Sequence, residues 1–545
     1  MRFPALALAA SVLLSAQDVT IRVDAARHLG KFRPIYRYFG YDEPNFTYAQ
    51  NGKELVEELG RLPGPVYLRT HFLLASGDAK AGFKFGSTNA YTEDAAGKPV
   101  YDWAVVDRIF DTYLRAGAKP FVEIGFMPKA LSSKPEPYTA HWAPGNNFNQ
   151  YYLGWTYPPS DYAKWSALIE AWVKHEVQRV GAPEVASWYW ELWNEPDIAY
   201  WHGTPEEYNK LYDVTAAAVK RALPSAKIGG PATTGPASAK AAAYFRQFLE
   251  HCEKTGSPVD FITFHAKGRP EFVDGHVRMG IAKNAEDVEK GFQIVRQFSK
   301  FRNLPIILSE SDPDGCAACS ARVYPQNAYR NGPLYASYTA AMLKNILELA
   351  DREQANIEGM LTWAFEFEDQ PSFDGFRTLA TNGVPKPILN LFRMLAHLEG
   401  ERVEAVSSAR IPLAAMLTDG VRIAPDVDAL AVRNDQDTSV LLWNYHDDGL
   451  PAPDARVKLE LSGLKNGRAV LLKYGIDETH SNAWTAWKKM GSPPHPSATQ
   501  YAELKVASQL QQFEPAKQII VKRGSTSMEI ALPRQGVSLI QVHNY

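Results

Sequence analysis

The sequence has no large excess of either charge and no long apolar segment away from its N-terminus. Its 545 residues include 58 Lys and Arg against 61 Asp and Glu, a formal net charge of −3. Without a long basic run, nothing favours a nucleic acid or an anionic membrane as a partner, and a neutral or weakly charged ligand fits better. No internal stretch is apolar enough to span a bilayer.

Internal repeats and low-complexity linkers are also lacking, which excludes a repeat array. Hydrophobic residues make up 45% of the chain and charged residues 22%, the balance of an ordinary globular protein. The length exceeds that of a usual single domain, so we expect more than one domain, packed firmly together.

The N-terminus is the one apolar segment that indicates targeting. Arg2 precedes an apolar stretch that ends near Leu14, and small residues follow at Ser15 and Ala16. This order is typical of a signal peptide, so we expect residues 1–16 to be removed and the protein to be secreted or periplasmic. A buried N-terminal helix is the alternative interpretation.

Cysteines are few, at positions 252, 316 and 319, which excludes a disulfide framework. Cys252 follows Phe245 and Phe248 on one face of a predicted helix, so we expect a thiol in the core. Two alanines separate Cys316 from Cys319, and no second Cys or His pair stands at ligand spacing. In an exported protein this favours a local disulfide over a metal site, with two free thiols as the alternative.

From about residue 33 to 400, short strand-like runs alternate with amphipathic helical stretches, a pattern that builds a parallel sheet covered by helices. Eight such runs predict a closed (β/α)8 barrel, that is, a TIM barrel of the α/β class. The runs are 33–41, 66–71, 120–127, 187–195, 226–232, 259–266, 305–310 and 358–367.

Helix signals and a change of period complete the predicted architecture. Thr204 begins a capping box before a helix that runs to about Leu223, and Gly117 follows a helix over 102–116. After residue 401 the helical pattern fades and apolar residues alternate with period two, which predicts an accessory β-sandwich over 401–545. Residues 17–32 are expected to supply a strand that pairs with this sandwich.

Two strands of the predicted barrel end in a glutamate. Glu195 follows the fourth strand within Trp-Asn-Glu-Pro, and Glu310 ends the seventh within Leu-Ser-Glu-Ser. The carboxyl ends of barrel strands meet on one face, so the two side chains are expected to share a pocket. Two facing carboxyl groups are what glycosidic bond cleavage requires, one as acid and one as nucleophile.

Motifs at five strand ends together resemble glycoside hydrolase family 39, which contains β-xylosidases and α-L-iduronidases. The resemblance covers nearly all of the barrel and implies a retaining glycosidase. The motifs are Arg69-Thr70-His71, Trp193-Asn194-Glu195-Pro196-Asp197, Phe264-His265-Ala266-Lys267-Gly268, Glu310-Ser311-Asp312-Pro313 and Phe376-Arg377-Thr378-Leu379.

The resemblance also implies roles for individual residues. Glu195 would protonate the leaving oxygen and then activate water, and Glu310 would form the glycosyl-enzyme intermediate. Asn194 would hydrogen-bond the sugar 2-hydroxyl, and Arg69 would keep Glu310 ionised.

His71 and His265 would contact sugar hydroxyls or the nucleophile, and a core role is the alternative for each. The proposed reaction requires no metal and no organic cofactor. The acidic segment 366–369 lacks calcium-loop spacing, so we interpret it as a pocket rim or solvated loop.

The predicted substrate depends on three residues. Lys267 and Arg377 match a lysine and an arginine that bind the substrate carboxylate in the iduronidase branch, which favours a uronic acid. Trp363 stands where that branch has an aspartate, and an aromatic ring favours stacking on an apolar sugar face. Aromatic runs at 36–40, 188–190 and 200–201 indicate the same, although for Trp188 and Trp190 we favour a role as core layers.

We therefore expect an exo-acting β-xylosidase that takes part in xylan degradation. A uronidase or an enzyme active on another pentose or hexose is the alternative, and a transglycosylase would use the same glutamates. A binding protein without catalysis is a remote alternative, because both carboxylates are present. The oligomeric state is not predicted.

Overall fold

The computed structural model describes residues 17–143 and 145–545. The predicted signal peptide lies outside these residues. Within the described ranges, no helix combines the length and the apolar character that a membrane span needs.

Eight parallel strands close into a barrel, which confirms the predicted (β/α)8 fold and each of its eight strand-like runs. Their order around the barrel follows the chain. The barrel strands, first to eighth, are Tyr38–Tyr41, Val66–Thr70, Ala118–Ile124, Tyr189–Leu192, Lys227–Thr233, Phe261–Lys267, Ile306–Asp312 and Ile357–Trp363.

Helices cover the outside of the barrel, and the sequence signals at their ends are confirmed. Thr204 and Glu207 form the predicted capping box, and Gly117 has a left-handed φ of 83°. The helices before residue 400 are Gln50–Gly60, Ala104–Arg115, Tyr162–Val180, Ala182–Ser187, Pro205–Ala222, Ala239–Thr255, Ile281–Arg296, Pro333–Glu353 and Pro387–Leu395.

The loops at the mouth of the barrel contain short elements of their own. Three two-stranded hairpins and five 3-10 helices occur among the described residues. The hairpins pair Tyr91–Glu93 with Pro99–Tyr101, Glu271–Val273 with His276–Arg278, and Ala380–Thr381 with Val384–Pro385. The 3-10 helices are Pro44–Tyr48, Lys129–Leu131, Phe148–Gln150, Gly154–Thr156 and Pro325–Asn331.

A second, nine-stranded sheet is mostly antiparallel and curls around its own apolar core, as in a sandwich. Its N-terminal strand, Asp18–Lys31, lies between Glu401–Ser407 and Ala455–Ser462. In spatial order the strands are Gln511–Val521, Gly467–Ile476, Val537–Asn544, Asp437–Tyr445, Asp426–Arg433, Glu401–Ser407, Asp18–Lys31, Ala455–Ser462 and Thr526–Leu532.

The period-two pattern of this sheet reflects two separate cores. Ala429 and Ala431 point into the core of the sheet, whereas Leu430 and Val432 belong to the core of the barrel. Successive side chains of a strand point to opposite faces, so one sheet face buries itself against the barrel. The helical pattern fades after residue 401 without ending, because Leu413–Asp419, Ala483–Lys489 and Ala498–Ala507 are short helices.

The structure decides between the alternatives for the three cysteines and for Trp188 and Trp190. Cys316 and Cys319 form a disulfide, and Cys252 is a buried free thiol. Trp188 and Trp190 are fully buried and pack in the core with ring centroids 6.2 Å apart. They are core layers and do not form a sugar platform.

Candidate active site

A pocket of about 150 Å³ opens at the carboxyl ends of the barrel strands. Of the nine side chains expected at the site, six line this pocket: His71, Asn194, Glu195, Glu310, Trp363 and Arg377. The other three, Arg69, His265 and Lys267, contact its carboxylates. The structure therefore brings all nine together, although their sequence positions span most of the barrel.

Glu195 and Glu310 face each other across the pocket. One oxygen of each lies within 4.8 Å of the other and of a ring nitrogen of His265. His265 Nδ1 is 2.9 Å from Glu195 Oε1, within hydrogen-bond distance. An atom bound between the two carboxyl groups would therefore be reached from both sides.

The backbone after the fourth barrel strand aims Glu195 into the pocket. Trp193 and Glu195 both have left-handed backbone angles, with φ of 67° and 42°. L-residues other than glycine adopt this region at a cost of about 1–2 kcal/mol each. The Glu195 N–H donates to the carbonyl of Ala232 at 2.9 Å, a contact with the next barrel strand that holds this turn in place.

Cations surround Glu310. Lys267 Nζ is 2.6 Å from its Oε2 and Arg69 Nη1 is 3.3 Å from its Oε1. Burial alone would raise the pKa of the Glu310 carboxyl, but the charges of Lys267, His265 and Arg69 hold it well below its usual value. Glu310 is therefore a carboxylate at neutral pH.

Arg69 is the centre of a buried ion network that the sequence reasoning missed. Its guanidinium contacts Glu191 at 2.6 Å and Glu123 at 2.9 Å, and it donates to Asn194 Oδ1 at 3.0 Å. This bond turns the Asn194 carbonyl oxygen away from a ligand and leaves its amide N–H groups for the pocket. An acid inside an apolar strand run, as in PFVEIG and WYWELW, is the signal that could have identified these glutamates.

His71 is held as a neutral imidazole. Its Nδ1 lies 2.7 Å from Glu123 Oε2. Burial, reinforced by the positive charge of Arg69, lowers the pKa of His71 well below its usual value. Burial also raises the pKa of Glu123 well above its usual value, against the effect of Arg69.

Lys267 and Arg377 already have carboxylate partners in the protein. Lys267 Nζ is 2.6 Å from Asp312 Oδ2 as well as from Glu310. Arg377 contacts Asp312 at 3.4 Å and Asp314 at 2.8 Å, and it donates to the carbonyl of Trp363 at 3.0 Å. Their positive charge is thus largely neutralised before any substrate binds.

Trp363 forms one wall of the pocket. Its ring lies 4.3 Å from the ring of His71 and 5.1 Å from the Arg69 guanidinium carbon. The ring approaches the first strand so closely that a Cβ at Gly40 would be 2.3 Å from it. Glycine is therefore required at position 40.

The expectation that the long aromatic runs reach the sugar was largely wrong. Tyr36, Tyr38 and Phe39 lie in the barrel core together with the tryptophans at 188 and 190. Tyr200 does line the pocket, next to Tyr152. A period-two aromatic run inside a barrel strand fills the barrel interior and its helix contacts, because side chains alternate between those two faces.

Two clusters among the described residues have the spacing of a metal site, but cations already bind both. Glu195, His265 and Glu310 form one, and Asp107, His175 and Glu176 the other. Lys267 and Arg69 bind Glu310, and Arg179 binds Asp107 and Glu176. A metal ion would have to compete with these positive charges.

A (β/α)8 barrel with two facing glutamates at the ends of its fourth and seventh strands is the arrangement of a glycoside hydrolase. The chain belongs to glycosyl hydrolases family 39, whose model matches residues 19–520. This confirms the resemblance found in the strand-end motifs.

Characterised relatives of two activities resemble the chain. The β-xylosidase of Geobacillus stearothermophilus is 30% identical over 492 residues, 87% of this chain and 86% of that protein. The α-L-iduronidase of Mus musculus is 23% identical over 584 residues, 99% of this chain and 83% of that protein. The crystal structure of a monomeric β-xylosidase from Caulobacter crescentus shares the fold, with a TM-score of 0.77, 24% identity and coverage of 96% and 99%.

Proposed function

We propose that the protein is a retaining, exo-acting β-xylosidase that releases xylose from xylo-oligosaccharides. One observation carries the retaining mechanism: an oxygen of Glu195 lies within 4.8 Å of an oxygen of Glu310. Retaining glycosidases place their carboxyl groups about 5–5.5 Å apart, whereas inverting enzymes need about 6.5–9.5 Å to admit a water molecule.

In the first step, a carboxylate oxygen of Glu310 attacks the anomeric carbon while the bond from that carbon to the leaving oxygen breaks. The Glu195 carboxyl group donates its proton to the leaving oxygen, and the alcohol departs. The sugar is then an ester of Glu310. Positive charge on Lys267 and Arg69 keeps Glu310 ionised for this attack.

In the second step, the Glu195 carboxylate takes a proton from water as the water oxygen attacks the anomeric carbon. The ester bond to Glu310 breaks, and two inversions leave the configuration unchanged. Asn194 would donate to the sugar 2-hydroxyl, and His265 would orient Glu195 through its 2.9 Å contact.

The charge balance of the pocket supports a neutral sugar. Lys267 and Arg377 are the cations that a uronic acid would need, and Asp312 binds both. Trp363 offers an aromatic wall to an apolar sugar face. The β-xylosidases among the relatives favour the same choice, while the iduronidases keep a uronic acid as the second candidate. We also propose a role in xylan degradation and, from the N-terminal sequence, secretion.

A panel of aryl glycosides tests the substrate. We expect the highest kcat/KM with the β-xyloside, compared with the α-arabinoside, the β-galactoside and the glucuronide and iduronide. Proton NMR during turnover should show β-xylose as the first product. A higher kcat/KM with a uronoside would contradict the assignment of a xyloside as substrate. Release of α-xylose as first product would contradict a retaining mechanism.

Removal of each glutamate tests the two roles. Glu310→Ala should abolish turnover of an aryl β-xyloside, and azide should restore it by forming the inverted glycosyl azide. Glu195→Ala should slow substrates with poor leaving groups far more than activated ones, because only the former need a proton from an acid. Undiminished turnover by Glu310→Ala, or equal losses for both leaving groups with Glu195→Ala, would contradict the respective role.

A further inference from the structure

Lys84 is a buried lysine that lines the pocket and has no part in the mechanism above. Its backbone is left-handed, with φ of 57°. Its N–H donates to Glu43 Oε1 at 2.5 Å, and its carbonyl accepts from the Tyr151 hydroxyl at 2.6 Å. The fold thus holds an unfavourable conformation from both sides, which is common where a side chain must be aimed at a ligand.

Three aromatic rings confine the Lys84 ammonium. Its Nζ lies 5.4 Å from the ring centroid of Trp142, 5.6 Å from that of Phe148 and 5.4 Å from that of Tyr151. Ring faces attract a cation, but they do not replace the oxygen acceptors that its three N–H groups need. Within the part of the chain that the structure describes, Asp42 is its one carboxylate partner, with 3.9 Å between Nζ and Oδ1.

That separation is too long for a hydrogen bond, yet it leaves room for one oxygen atom between the two groups. Asp42 is only 2% exposed, and its other oxygen accepts from Trp363 Nε1 at 3.4 Å. Burial raises the pKa of the Asp42 carboxyl, and the charge of Lys84 opposes this. Lys84 can only donate, and Asp42 in its ionised form can only accept. A hydroxyl group satisfies both, because it accepts from the ammonium and donates to the carboxylate. A substrate carboxylate would bind Lys84 but be repelled by Asp42.

We propose that Lys84 and Asp42 together bind one hydroxyl group of the sugar in the catalytic pocket and thereby select a neutral sugar over a uronic acid. The inference rests on the proposed function of this pocket and assigns two specificity-determining residues to it. Neither residue belongs to the set that the strand-end motifs predicted.

Substrates that lack single hydroxyl groups test the pair. We compare kcat/KM of the wild type and of Lys84→Met on an aryl β-xyloside and on its 2-, 3- and 4-deoxy derivatives. Loss of a hydrogen bond to a charged group should lower kcat/KM of the variant about 10- to 100-fold on the parent substrate. On one deoxy derivative the two proteins should be equal, because the hydroxyl that Lys84 binds is already gone.

The matched control is Lys80→Met, which makes the same change at an exposed lysine of the same loop and should leave all four values unchanged. If Lys84→Met loses the same factor on all four substrates, the proposed contact does not exist. Turnover of a different neutral glycoside would contradict only the xylose assignment, and the same comparison then applies to deoxy derivatives of that sugar. Turnover of uronosides alone would overturn both proposals.

Asp42→Asn provides an independent variant if Lys84→Met does not fold. It keeps the size of the side chain and removes its charge. We expect its kcat/KM to equal that of the wild type on the same deoxy derivative as for Lys84→Met. Its kcat/KM on a glucuronide should rise relative to that on the xyloside. If Asp42→Asn equals the wild type on a different deoxy derivative, the two residues do not bind the same hydroxyl group.

Discussion

At the scale of single residues, the site depends on how the charge of Glu310 is balanced. Lys267 binds one of its oxygens and Arg69 the other, and the pKa of the carboxyl is held well below its usual value against the effect of burial. Arg69 divides its charge among three glutamates, so Lys267 is the closer and less shared cation.

Lys267→Met should therefore raise the pKa of Glu310. More Glu310 is then protonated at a given acidic pH, and the acid limb of the pH profile of kcat/KM moves to higher pH, by about 1–3 units. The profile with an aryl β-xyloside measures this shift. Lys290→Met, at an exposed lysine, serves as control, and an unmoved acid limb in Lys267→Met would mean that Lys267 does not set this pKa.

At the scale of elements, the loop after the seventh barrel strand forms part of the pocket through Gly315 and Ala317. The disulfide between Cys316 and Cys319 constrains it. Arg330 fastens the same loop by donating to the carbonyls of both cysteines, at 2.6 and 2.7 Å. The loop is thus shaped by a covalent bond and by two buried cations, because Arg377 binds Asp314 of the same loop.

Replacement of both cysteines by serine should affect activity more than folding. The bridge closes a very short loop, so we expect a loss of about 2 kcal/mol or less in the free energy of unfolding. Displacement of the pocket wall should lower kcat/KM about 10-fold. A reducing agent should lower wild-type activity similarly and leave the double variant unchanged, since Cys252 is already a free thiol. Full activity of the variant would show that the non-covalent contacts of Arg330 and Arg377 hold the loop without the bridge.

At the scale of the whole molecule, one face of the second sheet packs into the apolar core of the barrel. Trp443 and Tyr445 of the sheet pack into the barrel core. Lys344, on the barrel helix Pro333–Glu353, reaches the second sheet. Its ammonium group binds Asp428 and donates to the carbonyl of Ala429 at 2.9 Å. A buried ion pair at the joint links the stability of both parts.

Lys344→Met should lower the free energy of unfolding by up to about 3–5 kcal/mol, because buried Asp428 loses its ammonium partner and keeps Arg410, 3.6 Å away, as its cation. Lys344→Met combined with Asp428→Asn should recover part of that loss, since the poorly compensated charge is then gone. Calorimetry should show one transition in every variant. Two separate transitions would mean that barrel and sheet unfold independently.

Local patterns were enough to predict the barrel, its eight strands and the two glutamates. A strand can be identified from its own alternation of apolar and polar residues, and a helix from its own capping residues. In a parallel barrel, the carboxyl ends of all strands then lie on one face. The disulfide was predictable for the same reason, because its cysteines are neighbours in the chain. The sequence by itself therefore determined the architecture and the carboxylate pair.

Contacts between distant segments decided the rest. Asp312 forms ion pairs with Lys267 and Arg377, and Trp142 helps to confine Lys84. The spacing of these residues in the sequence predicts neither set of contacts. The aromatic runs were misjudged because the face of a strand that meets the pocket depends on how the barrel closes. Only the tertiary structure decided which cations remain available to a substrate, because charge is balanced between loops that meet in space.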